Sequence, residues 1–316
     1  MLPPTPPPVV QNLPVPHLDA VAHLLAAYDW GHPLPPAPDL KGPEALRYQW
    51  LMAAATFQPG ALPADPFPPG PDHREAEALR GLLRPEPKDL ARELARVPLH
   101  LPGTALALWR WGQTQVRRGV FTPALRRAWE DRLLAEGPPL TRGYALRHAL
   151  CWALAEHDET RFARLKAARQ PLAEDTFALF QRLFGLLGGP SPVLRLWPLP
   201  GLGYQDLRLD QLGARRIWIC PAPSGPLPTL PGDVAWIIPS AAGSQDPGSA
   251  TLGAPSLDEG RALAQRLAAA GRRAFFAPSR ADMEQTGLVW FPALVVLDHQ
   301  GFLKDIRMGD AAPKQP

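Results

Sequence analysis

The sequence predicts two architectures in succession, an N-terminal all-helical domain over residues 17–189 and a mixed-sheet α/β domain over residues 190–316. Three observations lead there. Apolar residues recur three and four apart as far as the Gly188–Gly189 pair, which is the period of helices that each bury one face. The pattern then breaks into glycine and proline in GGPSPVLRLWPLPGLGYQD, residues 188–206, read as a linker with one strand at 193–197. Beyond it, short β-rich apolar runs alternate with an amphipathic helix, the order of an α/β fold with a mixed sheet. A chain of 316 residues suits two domains of ordinary size.

Residues 1–16 precede both domains. They carry seven prolines and read as an extended, polyproline-II-like tail. The first helical face is Leu18, Val21, Leu24, Leu25 and Tyr28. Further faces follow in PEALRYQWLMAAATF, DHREAEALRGLLR, PKDLARELARV, TALALWRWGQTQVRRGV, TPALRRAWEDRLLAEG, RGYALRHALCWALAEH, ETRFARLKAAR and AEDTFALFQRLFGLLGG. Thr122 before Pro123 makes an N-cap with proline at the first helical position, and Gly119, Gly137 and Gly188 fall where helices end. No fixed repeat period appears in this region.

Bulk chemistry excludes several classes. The net charge of +3 is too small to imply nucleic acid or an acidic membrane by itself. Two cysteines cannot build a stapling framework, the N-terminus lacks the apolar core of a secretion signal, and no run approaches the roughly 18 apolar residues of a membrane span. The expectation is a cytoplasmic protein with no membrane partner.

In the C-terminal part, RRIWIC and DVAWIIPS read as strands. SLDEGRALAQRLAAAG reads as a helix with Ser256 as N-cap and Gly271 just past its end. RRAFFAP is another strand, a short helix follows, and ALVVLD pairs with FLKDIRM across the turn DHQG. Together with DLRLDQLG ahead of the first of these strands, this order resembles the thioredoxin-like fold of the redoxin and thiol-antioxidant type over about residues 195–310. The most specific piece is FPALVVLDHQGFLKDIRMG. The resemblance implies a cis-proline at Pro292 opening the strand that faces the active-site loop, a turn at Asp298 to Gly301, and a final strand closed by Gly309.

Chemistry departs from that family. Its reaction depends on a cysteine at the start of the first long helix, where backbone N–H groups lower the thiol pKa, and on a second cysteine three residues on. Here the loop after RRIWIC reads PAPSGPLPTLPG, with Ser224, Gly225 and residues 226–228 in those places and no C-x-x-C. The prolines there also predict that the first helix is shortened or absent. Cys220 closes the strand itself, too early for either role, and reads as a small packed hydrophobe.

Other constellations are weaker. Arg110, Arg117, Arg118, Arg126 and Arg127, interleaved with Trp109, Trp111 and Trp129, have the composition of a surface that grips phosphates and stacks bases, or else of an arginine face whose tryptophans turn into a helical core. His148 and Cys151 share a helix face, but a lone pair does not complete a metal shell. Glu156, His157, Asp158 and Glu159 read as an exposed turn with capping side chains. No nucleophile elbow, phosphate loop or dinucleotide fingerprint occurs. No metal and no cofactor are expected.

The sequence thus predicts a non-catalytic binding or scaffolding protein. Its protein partner would dock on Trp290, Phe291, Pro292, Ser224 and Gly225, where active relatives hold extended segments by main-chain contacts. Two alternatives stand beside it: a nucleic-acid-associated protein using the arginine and tryptophan helices, and a residual thiol oxidoreductase through Cys220. The sequence does not fix the oligomeric state.

Overall fold

The structure is a computed structural model that describes residues 94, 95, 97, 99, 102–168, 174–198, 203–220, 231–239, 257–277, 283, 285–288 and 291–312. The Pro-rich tail, the helices expected before residue 94, Ser256, and the loop holding Ser224 and Gly225 lie outside the described residues, as does Trp290. The chain divides into two compact units, one running from Leu150 to Pro316 and the other containing the helices before it.

In the helical unit, α1 spans Pro102–Arg117, α2 Pro123–Glu136 and α3 Pro139–Ala155, the last running on into the next unit. Helix α2 starts as its sequence dictates: Thr122 Oγ1 accepts the Leu125 N–H at 3.2 Å and Pro123 occupies the first turn, where its missing N–H costs nothing. The Gly137 N–H donates to the Leu133 carbonyl and ends it. Aromatic packing joins these helices. The Trp109 and Trp129 rings stack at 5.1 Å and 9°, with Phe121 edge-on to Trp129 and to Trp111. Trp129 also donates its indole N–H to the Leu108 carbonyl, so the ring is buried without orphaning its polar atom.

The second unit opens with α4 (Glu159–Ala167) and α5 (Glu174–Leu186) and then forms one seven-stranded mixed sheet. Its strands are β1 Val193–Pro198, β2 Gln205–Arg208, β3 Arg216–Ile219, β4 Val234–Pro239, β5 Arg273–Ala277, β6 Ala293–Leu297 and β7 Leu303–Met308, and α6 (Leu257–Ala269) connects β4 to β5. The order across the sheet is β2-β1-β5-β4-β3-β6-β7. Strands β3, β4 and β5 run parallel, while β6 is antiparallel to β3 and β7 to β6. The expected hairpin DHQG is present: Asp298 Oδ1 accepts the backbone N–H groups of Gln300 and Phe302 at 2.8 and 2.9 Å, and Gly301 supplies the φ of +85° that the turn requires.

Strands β3, β4 and β6 are apolar on both faces because both are covered. Trp218, Trp236, Ile238 and Leu294 share a core with Leu263, Ala264 and Leu267 of α6, whereas Ile217, Ile219, Ile237 and Val295, on the opposite face, are equally inaccessible. That burial answers why a central strand carries no polar alternation.

The strand expected at 193–197 is present as β1, and it belongs to the sheet: β1 pairs antiparallel with β2 on one side and with β5 on the other. Leu194 and Leu196 point inward while Val193 and Arg195 face solvent, the alternation that makes VLRLWP a half-buried strand. Residues 188–190 also bond to the hairpin of β7, through Gly188 N–H to the Leu303 carbonyl and Leu303 N–H to the Gly189 carbonyl.

Candidate functional site

The expected partner surface centres on the carboxyl end of β3. Ile219 pairs with Ala293, so the next step in register sets Cys220 opposite Pro292. The Phe291–Pro292 bond is cis. Proline has no N–H to offer a neighbouring strand, but its carbonyl accepts the Gly309 N–H at 2.9 Å, which ties the segment to the end of β7. Gly309 takes φ +55° there, consistent with glycine closing the final strand. Phe291 and Pro292 are each half-buried, so both present an edge to solvent.

Cys220 is held from two sides. Its N–H donates to the Ile237 carbonyl at 3.2 Å, and its own carbonyl accepts the Trp236 indole N–H at 3.0 Å. Trp236 is fully buried, so this is an inward anchor for the chain leaving β3. The thiol packs against the core beneath α6, and burial pushes it up to about 12. Such a thiol is protonated at neutral pH and is not a nucleophile. The oxidoreductase alternative gains no support from this position: Cys220 is a half-buried sulfur packed against the core at a strand end, with no helix N-terminus behind it among the described residues.

For the nucleic-acid alternative the expected aromatic platform is missing. Trp109, Trp111 and Trp129 are buried in the helical core and have no face left for a base. Arg110 and Arg126 are only 4 % and 3 % exposed; Arg110 donates to the Gln113 side chain and Arg126 lies 3.4 Å from Glu130. Arg118 is exposed and Arg117 and Arg127 half-exposed, so three of the five cations reach solvent and the interleaved aromatic platform does not exist. The cause is a buried polar knot. Glu130, fully inaccessible, accepts from His148 Nδ1 at 2.7 Å, and the imidazole stands edge-on to Trp109 and Trp129 at 5.4 and 5.2 Å.

That knot also takes His148 away from the half metal site suggested beside Cys151. Among the described residues no group of three metal-ligand side chains converges. The EHDE turn is structural: Asp158 caps α4 by accepting the Arg161 N–H at 2.9 Å, and His157, at φ +54°, has Nε2 3.6 Å from Asp305. No described helix is long and apolar enough to cross a membrane.

Trp236 is the residue of this site that sequence reasoning missed. Its spacing of sixteen positions from Cys220 carries no local signal, and only the parallel pairing of β3 with β4 brings the indole to the carbonyl. No family model matches the chain, and comparison with curated proteins and with solved structures finds no match.

Proposed function

We propose that residues 190–316 form a thioredoxin-like domain without thiol chemistry, and that the protein is a cytoplasmic, non-catalytic binding module whose protein partner docks at the carboxyl end of β3. The observation that carries this reading is the cis-Pro292 directly ahead of β6, whose Ala293 pairs with Ile219 at the end of β3, in a sheet whose core order is β5-β4-β3-β6-β7. In the resembling family that arrangement apposes the reactive thiol to the proline that receives an extended chain. Here the cis-proline is kept, Cys220 stands at the strand end rather than at the family's thiol position, and burial holds its proton.

Phe291 and Pro292 are partly accessible beside it, and an aromatic ring at a sheet end is a suitable anchor for an apolar side chain of a partner. Trp290, its neighbour in sequence, adds a second aromatic to the same segment.

The test is quantitative affinity capture from the native organism, comparing wild type with Phe291→Ala and with a Trp290→Ala, Phe291→Ala double variant. A defined partner lost from both variants, with melting temperature retained, is the expected result. Equal recovery of the same proteins by all three chains removes the proposed surface. Thiol-dependent disulfide reduction by the wild-type chain would remove the non-catalytic reading instead.

A further inference from the structure

At the other end of the same parallel strands lies a cleft of about 560 Å³. Its charged lining consists of Asp210 from the 3-10 turn Leu209–Leu212, Arg215 before β3, Asp233 before β4, Arg273 at the start of β5, and Asp298 and His299 from the hairpin. We infer that this cleft binds a small oxyanion, the carboxylate or phosphate group of a soluble ligand.

The argument is one of charge pairing. Asp233 is bound by both arms of the Arg216 guanidinium, at 2.6 and 2.8 Å, and Asp210 is bound by Arg208 and by the Ser191 hydroxyl, at 3.2 Å. Neither Arg208 nor Arg216 lines the cleft, so two of its three carboxylates are neutralised from outside. The cations that do line it lack that compensation. Arg273 donates to the backbone carbonyls of Gly213 and Gly232, which are neutral, and the exposed Arg215 guanidinium has no hydrogen-bond or ion-pair partner among the described residues. Against these two positive charges stands Asp298, whose Oδ1 is occupied by the Gln300 and Phe302 N–H groups. The cleft therefore carries a surplus of positive charge with one donor fork free, which suits an oxyanion.

The walls are also preorganised. A Cβ on Gly301 would meet Asp210 Cβ at 2.8 Å, so the hairpin and the 3-10 turn are in close contact, and Arg273 holds the loops before β3 and β4 together. A preformed site loses less freedom on binding. This cleft does not involve Cys220, Phe291 or Pro292, so the inference stands or falls independently of the partner surface.

The test is titration of the full chain at low ionic strength with inorganic phosphate and, separately, with succinate, followed by calorimetry or amide chemical shifts. The expected result is saturation by one of the two in the millimolar range, weakened at least about fivefold in Arg215→Ala with the melting temperature unchanged. Saturation by phosphate alone assigns a phosphate ligand, and saturation by succinate alone a carboxylate. The inference is overturned if neither anion saturates by about 20 mM, or if Arg215→Ala binds as the wild type does.

Discussion

The indole N–H of Trp236 donates to the carbonyl oxygen of Cys220 at 3.0 Å, across the parallel pairing of β4 with β3. This bond ties the backbone at Cys220, just past the end of β3, to the buried core of the sheet. It also satisfies the single polar atom of a fully buried tryptophan, which would otherwise be left unpaired in the core.

Replacing Trp236 with Phe removes that donor, strands the Cys220 carbonyl and leaves part of the indole volume empty. The expected loss is about 2–4 kcal/mol, combining a buried hydrogen bond with a cavity. Chemical denaturation of the variant beside wild type measures it, and a loss near zero would mean that the bond does not bear on stability.

Cys220 makes a sharper prediction through pH. Burial raises its thiol from an ordinary value of 9.0 to about 12, so the folded chain keeps the proton over a range in which the unfolded chain releases it. Stability from this group is complete below pH 9 and is lost as pH rises towards 12, by up to roughly 4 kcal/mol. Cys220→Ala should flatten that part of the wild-type stability curve. Native protein should react with a thiol reagent at pH 8 far more slowly than unfolded protein does, and rapid native labelling at this position would show that the sulfur is accessible.

These two residues also mark what sequence could and could not reveal. The strands around them were legible because IWI, AWIIP and ALVVL are apolar on both faces, a pattern that a buried mixed sheet demands. Strand β2 was not, since QDLR is polar and mostly exposed and is a strand only because β1 lies beside it. For the arginine–tryptophan helices the sequence left two readings open, and the buried tryptophans follow the helical-core one. Residue types disclose charge and ring, but Glu130 and His148 are eighteen positions apart, and only folding brings them to 2.7 Å and draws Arg126 inward. Long-range pairing decided each case that local pattern left open.

Gly112 sits in the middle of α1, where glycine costs about 1 kcal/mol relative to alanine, and packing explains its presence. A Cβ at this position would fall within the indole of Trp129, itself stacked on Trp109 and tethered to the Leu108 carbonyl. The ring cannot move aside without breaking both contacts. Gly112→Ala should therefore destabilise the helical unit by about 1–3 kcal/mol despite its better helix propensity, as read from thermal unfolding. A stabilised variant would show that the ring relaxes freely.

Asp298 holds the β6–β7 hairpin through side-chain bonds to the chain that follows it. Desolvation alone would raise its carboxyl pKa, but the N–H groups of Phe302 and Gln300, the neighbouring His299 and the Gly301 N–H outweigh it and hold the group below the ordinary 3.8. Because the folded value is depressed, its contribution is present above the unfolded pKa and disappears as pH falls through the folded one. Asp298→Ala should lower stability at pH 7 and remove part of the acid sensitivity below pH 4, while Asp298→Asn, which keeps an acceptor at the same reach, should retain more of the hairpin. Amide exchange at Gln300 and Phe302 reads the effect directly, since both N–H groups lose their partner only in the alanine variant. Unchanged exchange at those two positions would mean that Gly301 and the strand ladder alone suffice to close the turn.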